Sequence, residues 1–229
     1  MDSTLLLNAK GGAEQGTLLD ADDTTLYRSL VGQLVHISRV TRPDIAHAVG
    51  KVSRFNQEPR TSHLTAVKDI IRYLICTKRW ELQLGGCTRD MHGSIPSKGL
   101  RIEGFADSDY ASDPDRRRSC TGYVLKVGGS SISWMSKLQA TPALSTTESE
   151  YMAMCAAARE SQYLRSMLAE IGIGANGPTL LWGDNQGAIA LVKNPAHHER
   201  TKHIDVQYHY IRALTEQGVL QLTTSRPTI

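Results

Sequence analysis

The stretch Leu100-Arg-Ile-Glu-Gly-Phe-Ala-Asp-Ser-Asp109 reads as a strand through Phe105 that runs into a short acidic segment. Gly122-Tyr-Val-Leu-Lys-Val127 reads as a second strand, Gly128-Gly129 as a hairpin turn and Ser131-Ile-Ser-Trp134 as a third strand. A long helix follows over about Thr146 to Ile171, stopped near Gly172 and Gly174. Beyond it the pattern gives a strand at Thr179–Trp182, a short helix at Gln186–Val192 ending at Asn194-Pro195, a helix at Asp205–Gln217 and a strand at Val219–Thr223. A meander followed by right-handed crossovers predicts an α/β fold, a mixed five-stranded sheet flanked by helices.

Working back from Leu100, the style of the sequence changes. Residues 85–100 are weakly patterned and hold Gly85, Gly86, Gly93, Pro96 and Gly99, which reads as a hairpin remnant or linker. Before it lies a small helical segment. Leu26 to about Ile37 is mixed in pattern. Thr41-Arg-Pro-Asp44 reads as a helix start, with Thr41 as cap, Pro43 in the first turn and Asp44 at the positive end. That helix carries Ile45, Val49 and Val52 and stops by Glu58-Pro59. Thr61 is placed to cap the next, whose Leu64, Val67, Ile70, Ile71, Leu74 and Ile75 recur at helical spacing. The expected organisation is a flexible leader over 1–24, a helical segment over 25–99 and the α/β domain over 100–229.

Composition narrows the class. The chain has 229 residues, enough to bury a core without staples. With 26 Lys plus Arg against 23 Asp plus Glu, a net of +3, and 40% hydrophobic residues, it is neither a disordered chain nor a strongly basic coat protein. The basic excess sits in residues 1–100, and residues 101–229 balance, so nucleic-acid contact must come from local basic groups. No apolar run is long enough to span a membrane, and the start MDSTLLLNAKGG is not that of a secretory signal. The expected compartment is the cytoplasm or the nucleus. Cys76, Cys87, Cys120 and Cys155 are too scattered for a zinc site or a disulfide framework and read as reduced thiols.

Asp107 falls at the end of the first strand and Asp184 just past the fourth, so the two converge if those strands are neighbours. The long helix offers two further carboxylates. Ser145-Thr-Thr-Glu148 is a capping box, which assigns Glu148 to the helix start. Glu150, roughly 200° further round, opens the stripe Glu150, Ala153, Met154, Ala157, Ser161, Leu164, Leu168, whose small members let a helix sit close to a sheet. Glu150 is therefore the expected site residue. Three converging carboxylates repel one another unless cations hold them, and Mg²⁺ or Mn²⁺ takes such hard oxygen ligands. The competing reading makes Asp107 and Asp184 ordinary loop or capping acids.

Tyr27-Arg-Ser-Leu-Val-Gly-Gln-Leu34 and Thr41-Arg-Pro-Asp-Ile-Ala46 resemble the reverse transcriptase thumb and connection region of copia-class LTR retrotransposons. Phe105-Ala-Asp-Ser-Asp-Tyr-Ala111 resembles the opening of that family's ribonuclease H domain. Arg117-Arg-Ser-Cys-Thr-Gly-Tyr123, Leu144-Ser-Thr-Thr-Glu-Ser-Glu-Tyr151, Gly183-Asp-Asn-Gln-Gly-Ala-Ile189 and Thr201-Lys-His-Ile-Asp205 continue the match in order. Residues 27–223 are thus similar to the C-terminal part of such a Pol polyprotein. The resemblance implies a ribonuclease H-like fold over 100–229, preceded by a thumb- or connection-like segment. It implies that Asp107, Glu150 and Asp184 hold two Mg²⁺ ions and hydrolyse the RNA strand of an RNA–DNA hybrid, leaving 5′-phosphate and 3′-hydroxyl ends. Selection for RNA rests on 2′-hydroxyl contacts, for which Asn185 and Gln186 are placed, set against mere helix capping. The alternatives are a catalytically impaired nucleic-acid-binding module and a retroelement remnant without dedicated function.

Two departures shape the expectation. The polymerase palm with its paired aspartates is absent, so no DNA synthesis is expected. The family carries an Ala-Asp pair opening a final helix after the last strand, and that Asp supplies a fourth carboxylate. Here the sequence reads Thr224-Ser-Arg-Pro-Thr-Ile229, so the second metal is expected to be held more weakly than the first and activity to be reduced, its loss being the alternative reading. Asp205 lies before the last strand and reads as a helix-start residue. Arg116, Arg117 and Arg118 form a basic run in which Arg117 and Arg118 are candidate phosphate contacts, set against a solvated loop. Lys68, Arg72, Lys78 and Arg79 could track a backbone or simply be a helix's polar face. His197, His198 and His203 fit no compact zinc pattern, and His198 or His203 could assist proton transfer or product release. Trp134, Trp182 and Cys155 read as core. An exposed apolar face on the Leu64–Ile75 helix is the expected contact for a polymerase domain or a second copy.

Overall fold

The computed structural model describes residues 16–85, 99–113, 117–185, 187–189 and 202–224. Readings placed on residues 1–15 and 86–98, on Arg116, Gln186, His197 and His198, and on the side chains of His203 and Asp205 lie outside the described set. The chain falls into two compact units. One is drawn from Met1–Leu82 with Asp113–Arg117, the other from Gln83–Ser112 with Arg118–Ile229. No helix among the described residues is long and apolar enough to cross a membrane.

The first unit is helical: α1 (Ala21–Val40), a 3₁₀ turn (Pro43–Ile45), α2 (Ala46–Ser53) and α3 (Thr61–Cys76). Helix α1 begins inside the stretch read as a leader because Asp20 caps it, its Oδ1 accepting the Asp23 N–H at 2.8 Å. Thr41 ends α1 instead of starting the next element. Arg42 takes the cap position and grips Asp44 through Nε and Nη2 at 2.9 and 2.7 Å, while Nη2 also reaches Thr77 Oγ1 at 2.6 Å. Arg60, not Thr61, precedes α3, and its N–H donates to His63 Nδ1 at 3.1 Å. Tyr27 is fully buried and donates to the Val52 carbonyl at 2.6 Å, tying α1 to α2. The apolar stripe of α3 is core: Leu64, Val67 and Ile70 pack with Val31, Leu34, Ile45 and Val49. The exposed face expected on this helix is therefore absent over Leu64–Ile70, and its own unit consumes it, while Ile75 stays exposed.

The second unit holds β1 (Ile102–Asp109), β2 (Cys120–Val127), β3 (Ser130–Leu138), α4 (Thr146–Glu170), β4 (Thr179–Gly183), α5 (Lys202–Glu216) and β5 (Leu220–Thr224). The sheet order is β3-β2-β1-β4-β5. The first three strands form an antiparallel meander, and β4 pairs parallel with both β1 and β5. This is the mixed five-stranded sheet flanked by helices that the element order predicts. Gly128 and Gly129 have φ of 59° and 86°, the conformation a two-residue hairpin between twisted strands requires.

The expected stripe on α4 is buried throughout, from Glu150 through Ala153, Met154, Ala157, Ser161 and Leu164 to Leu168. Leu164 and Leu168 close over Ile102 and Leu125, and Ala157 and Met154 lie in a cluster with Leu181, Ile211 and Leu220. Gly104 is the close-approach position: a Cβ there would lie 2.5 Å from Leu125 Cδ2 and 2.9 Å from Leu181 Cδ1, both on fully buried leucines. The opposite sheet face carries Phe105, Val124, Trp134 and Trp182 on neighbouring strands, all half-buried, with the Phe105 and Trp182 rings stacked at 6.4 Å.

Candidate metal centre

β1 is longer than the apolar pattern predicts. Alternation continues past Phe105, with Ala106 and Ser108 inward and Asp107 and Asp109 outward, because Asp107 and Asp109 stay in register with Gly122 and Cys120. Asp107 therefore projects from a hydrogen-bonded strand instead of a loop, which fixes its backbone. β4 runs beside it and ends at Gly183, where a Cβ would lie 3.3 Å from Met154 Sδ. That close approach sets Asp184 next to the first turns of α4. Glu150 reaches the same place from the helix. One carboxylate oxygen from each of Asp107, Glu150 and Asp184 lies within 4.8 Å of the others. The structure thus brings together the three residues picked from the sequence.

Two local devices hold the cluster. Helix α4 starts at Ser145, whose Oγ accepts the Glu148 N–H at 3.2 Å, and Glu148 Oε2 accepts the Leu144 N–H at 2.9 Å. Glu148 is the cap, which leaves Glu150 to the site. The second device is Ser108, which the sequence reading passed over. Its N–H is shared between Asp107 Oδ1 at 2.9 Å and Glu150 Oε1 at 3.3 Å, and its Oγ bonds Ser149 Oγ at 2.8 Å. Ser149 Oγ in turn donates to the Thr146 carbonyl at 2.8 Å. The chain of bonds locks strand to helix where the carboxylates meet. Its signal was a buried-parity Ser in the β1 alternation, facing the helix start.

Glu150 is 8% exposed, and its carboxyl is pushed up to about 7, first by burial and then by the negative charges of Asp107 and Asp184, with the Ser108 hydrogen bond opposing. A proton on Glu150 or a bound cation relieves this crowding, and an all-oxygen donor set with two exposed members suits a hard divalent ion.

The other sequence candidates separate. Asn185 Oδ1 accepts the Ala188 N–H at 2.9 Å, a capping bond for the helical residues 187–189. Arg118 belongs to the same unit as the carboxylates and donates through Nη1 to the Gln139 and Ala140 carbonyls at 3.5 and 3.4 Å. Arg117 belongs to the first unit, with a left-handed φ of 52° and its N–H on the Asp113 carbonyl at 2.8 Å. Cys155 is buried and its thiol is pushed up to about 11 by burial, so it is neutral packing and not a ligand.

A scan of protein-family models finds no match. Among curated proteins, the chain is 44% identical over 196 residues to the retrovirus-related Pol polyprotein from transposon TNT 1-94 of Nicotiana tabacum, covering 86% of this chain and 14% of that one. It is 38% identical over 202 residues to the corresponding polyprotein from transposon RE1 of Arabidopsis thaliana, covering 87% of this chain and 13% of that one. A shorter relative, the secreted RxLR effector protein 161 of Plasmopara viticola, is 41% identical over 138 residues, covering 60% of this chain and 90% of that one. The chain therefore spans about one seventh of the length of the polyproteins it matches. Among solved structures, the foamy viral protease-reverse transcriptase in complex with RNA/DNA hybrid aligns at 10% identity and TM-score 0.51, over 90% of this chain and 25% of that one. That likeness is one of fold. The second unit is a mixed five-stranded sheet flanked by helices, and over 86–87% of its length the chain is homologous to a segment of the copia-type retrovirus-related Pol polyproteins.

Proposed function

We propose that the chain is a metal-dependent endonuclease that hydrolyses the RNA strand of RNA–DNA hybrids. The observation that carries this reading is the convergence of Asp107, Glu150 and Asp184 to within 4.8 Å on three separate elements. Homology to a segment of the Pol polyproteins supports it, as does the fold shared with a reverse transcriptase solved on a hybrid. The residues fit divalent ions, Mg²⁺ first and Mn²⁺ by the same oxygen chemistry. When bound, such ions supply a nucleophilic hydroxide at neutral pH and charge stabilisation for the leaving 3′ oxygen.

The chain's own residues do the positioning. Asp107 and Asp184, both exposed, present carboxylates toward the entering phosphate, and Glu150 closes the set from the buried side. The shared Ser108 N–H keeps Asp107 and Glu150 aligned before substrate arrives. We further propose that Asn185 and Gln186 face the ribose 2′-hydroxyl and that Arg117 and Arg118 take phosphates of the hybrid.

The test is a substrate panel: end-labelled RNA–DNA hybrid, duplex RNA, duplex DNA and single strands, each with Mg²⁺, Mn²⁺ or chelator. The reading expects cutting of the RNA in the hybrid alone, dependent on metal, with 5′-phosphate and 3′-hydroxyl products. Equal cutting of duplex DNA, or cutting that survives chelation, would overturn it.

A further inference from the structure

A cleft of about 780 Å³, lined by none of the three carboxylates, opens between β2–β3, one stripe of α4 and α5, all within the second unit. Its chemistry is one-sided. Lys137 and Arg159 line it, Arg118 beside them is held on the Gln139 and Ala140 carbonyls, and no carboxylate lines it among the described residues. Its floor is apolar, built from Met135, Met152 and Ala156, with the half-buried ring of Tyr210 at one end.

Two acceptors in this lining have no partner. Gln139 is 5% exposed, and its orientation is fixed because Nε2 donates to Thr121 Oγ1 and to the Ser149 carbonyl, both at 3.0 Å. Its Oε1 is buried and unsatisfied, and so is Oε1 of Gln207. A buried carbonyl oxygen without a donor costs about 1–3 kcal/mol, and with both atoms closed off from solvent that cost falls on the fold and not on a ligand in the cleft.

These features select among anions. Inorganic phosphate or sulfate satisfies the cations but leaves the Met and Tyr surface uncovered. A purely apolar ligand leaves the cations unused. A nucleotide supplies both: a phosphate for the cations and a planar base for the Met and Tyr surface. We propose that this cleft binds a nucleotide unit, as part of a single RNA or DNA strand or as a free mononucleotide, independently of the metal centre.

The experiment uses the full chain in chelator, so the carboxylate cluster is silent. Binding of a fluorescent 5′-phosphorylated RNA hexamer is followed by anisotropy, with AMP and inorganic phosphate as competitors. The proposal expects saturable binding, competition by AMP, no comparable competition by phosphate, and a loss of about tenfold or more in Lys137→Ala/Arg159→Ala. Both substituted side chains are exposed, so the fold is retained, which circular dichroism checks. Asp107→Asn should bind as wild type, which separates this cleft from the nuclease reading. A hexamer bound far more tightly than AMP identifies a strand, and equal affinity identifies a free nucleotide; either supports the proposal. Absent binding, an unchanged double variant, or phosphate competing as well as AMP would overturn it.

Discussion

Glu150 is where burial and charge meet. Its carboxyl lies at about 7 against an ordinary 4.5, so in the metal-free protein the folded state holds a proton that the unfolded state has released. The sign follows: stability is full below about pH 4.5 and declines as pH rises toward 7, by at most about 3 kcal/mol. Metal-free protein should therefore melt higher at about pH 5.5 than at about pH 7.5, and Glu150→Gln should remove most of that difference. A divalent cation favours the ionised carboxylate, so added Mg²⁺ should raise the melting temperature more at the higher pH. An identical pH profile in wild type and Glu150→Gln would contradict the assignment of the charge cluster. Ser108 acts at the same scale through its backbone N–H, which any side chain keeps. Ser108→Ala should therefore keep the N–H contacts but lose the bond to Ser149 and the side-chain hydrogen bond that lowers the Glu150 carboxyl, weakening alignment without removing a ligand.

At the scale of elements, α4 carries most of the positioning. Removing its cap with Ser145→Ala should lower unfolding free energy by about 1 kcal/mol in a denaturant titration. Gly104→Ala should cost about 1–3 kcal/mol, because Leu125 and Leu181 fill the space a methyl needs. An unchanged denaturation midpoint for Gly104→Ala would mean that Leu125 and Leu181 fill the space over Gly104 less tightly than described. The element order was legible because hydrophobic period and glycine punctuation agree from Leu100 to Thr223. Boundaries were less so. β1 runs on to Asp109 since ladder pairing with β2 outweighs the polarity of Asp107, and Arg42 displaces Thr41 as a cap because its fork is already committed to Asp44. The three carboxylates could be picked from strand ends and a helical stripe, but their convergence depends on β4 pairing with β1. That pairing is a long-range fact no local pattern contains. Gln139 was invisible for the same reason: nothing in its neighbourhood marks it as buried beneath α4.

For the whole molecule, a net charge of +3 spread over 229 residues gives little long-range steering. Hybrid binding should rest on a few local cations, with a log–log salt slope between about −2 and −5; a slope near −10 would point to a far larger charged surface. Each unit has its own buried cluster, and the chemistry assigned to the second depends on only three carboxylates among many acids. The most direct measurement is the rate of RNA-strand cleavage in a Mg²⁺-supported hybrid assay for wild type, Asp107→Asn, Glu150→Gln and Asp184→Asn, each with folding confirmed. The account predicts cleavage by wild type and a loss of about a hundredfold or more in every variant. A folded wild type that does not cut, or variants that cut at the wild-type rate, would contradict it.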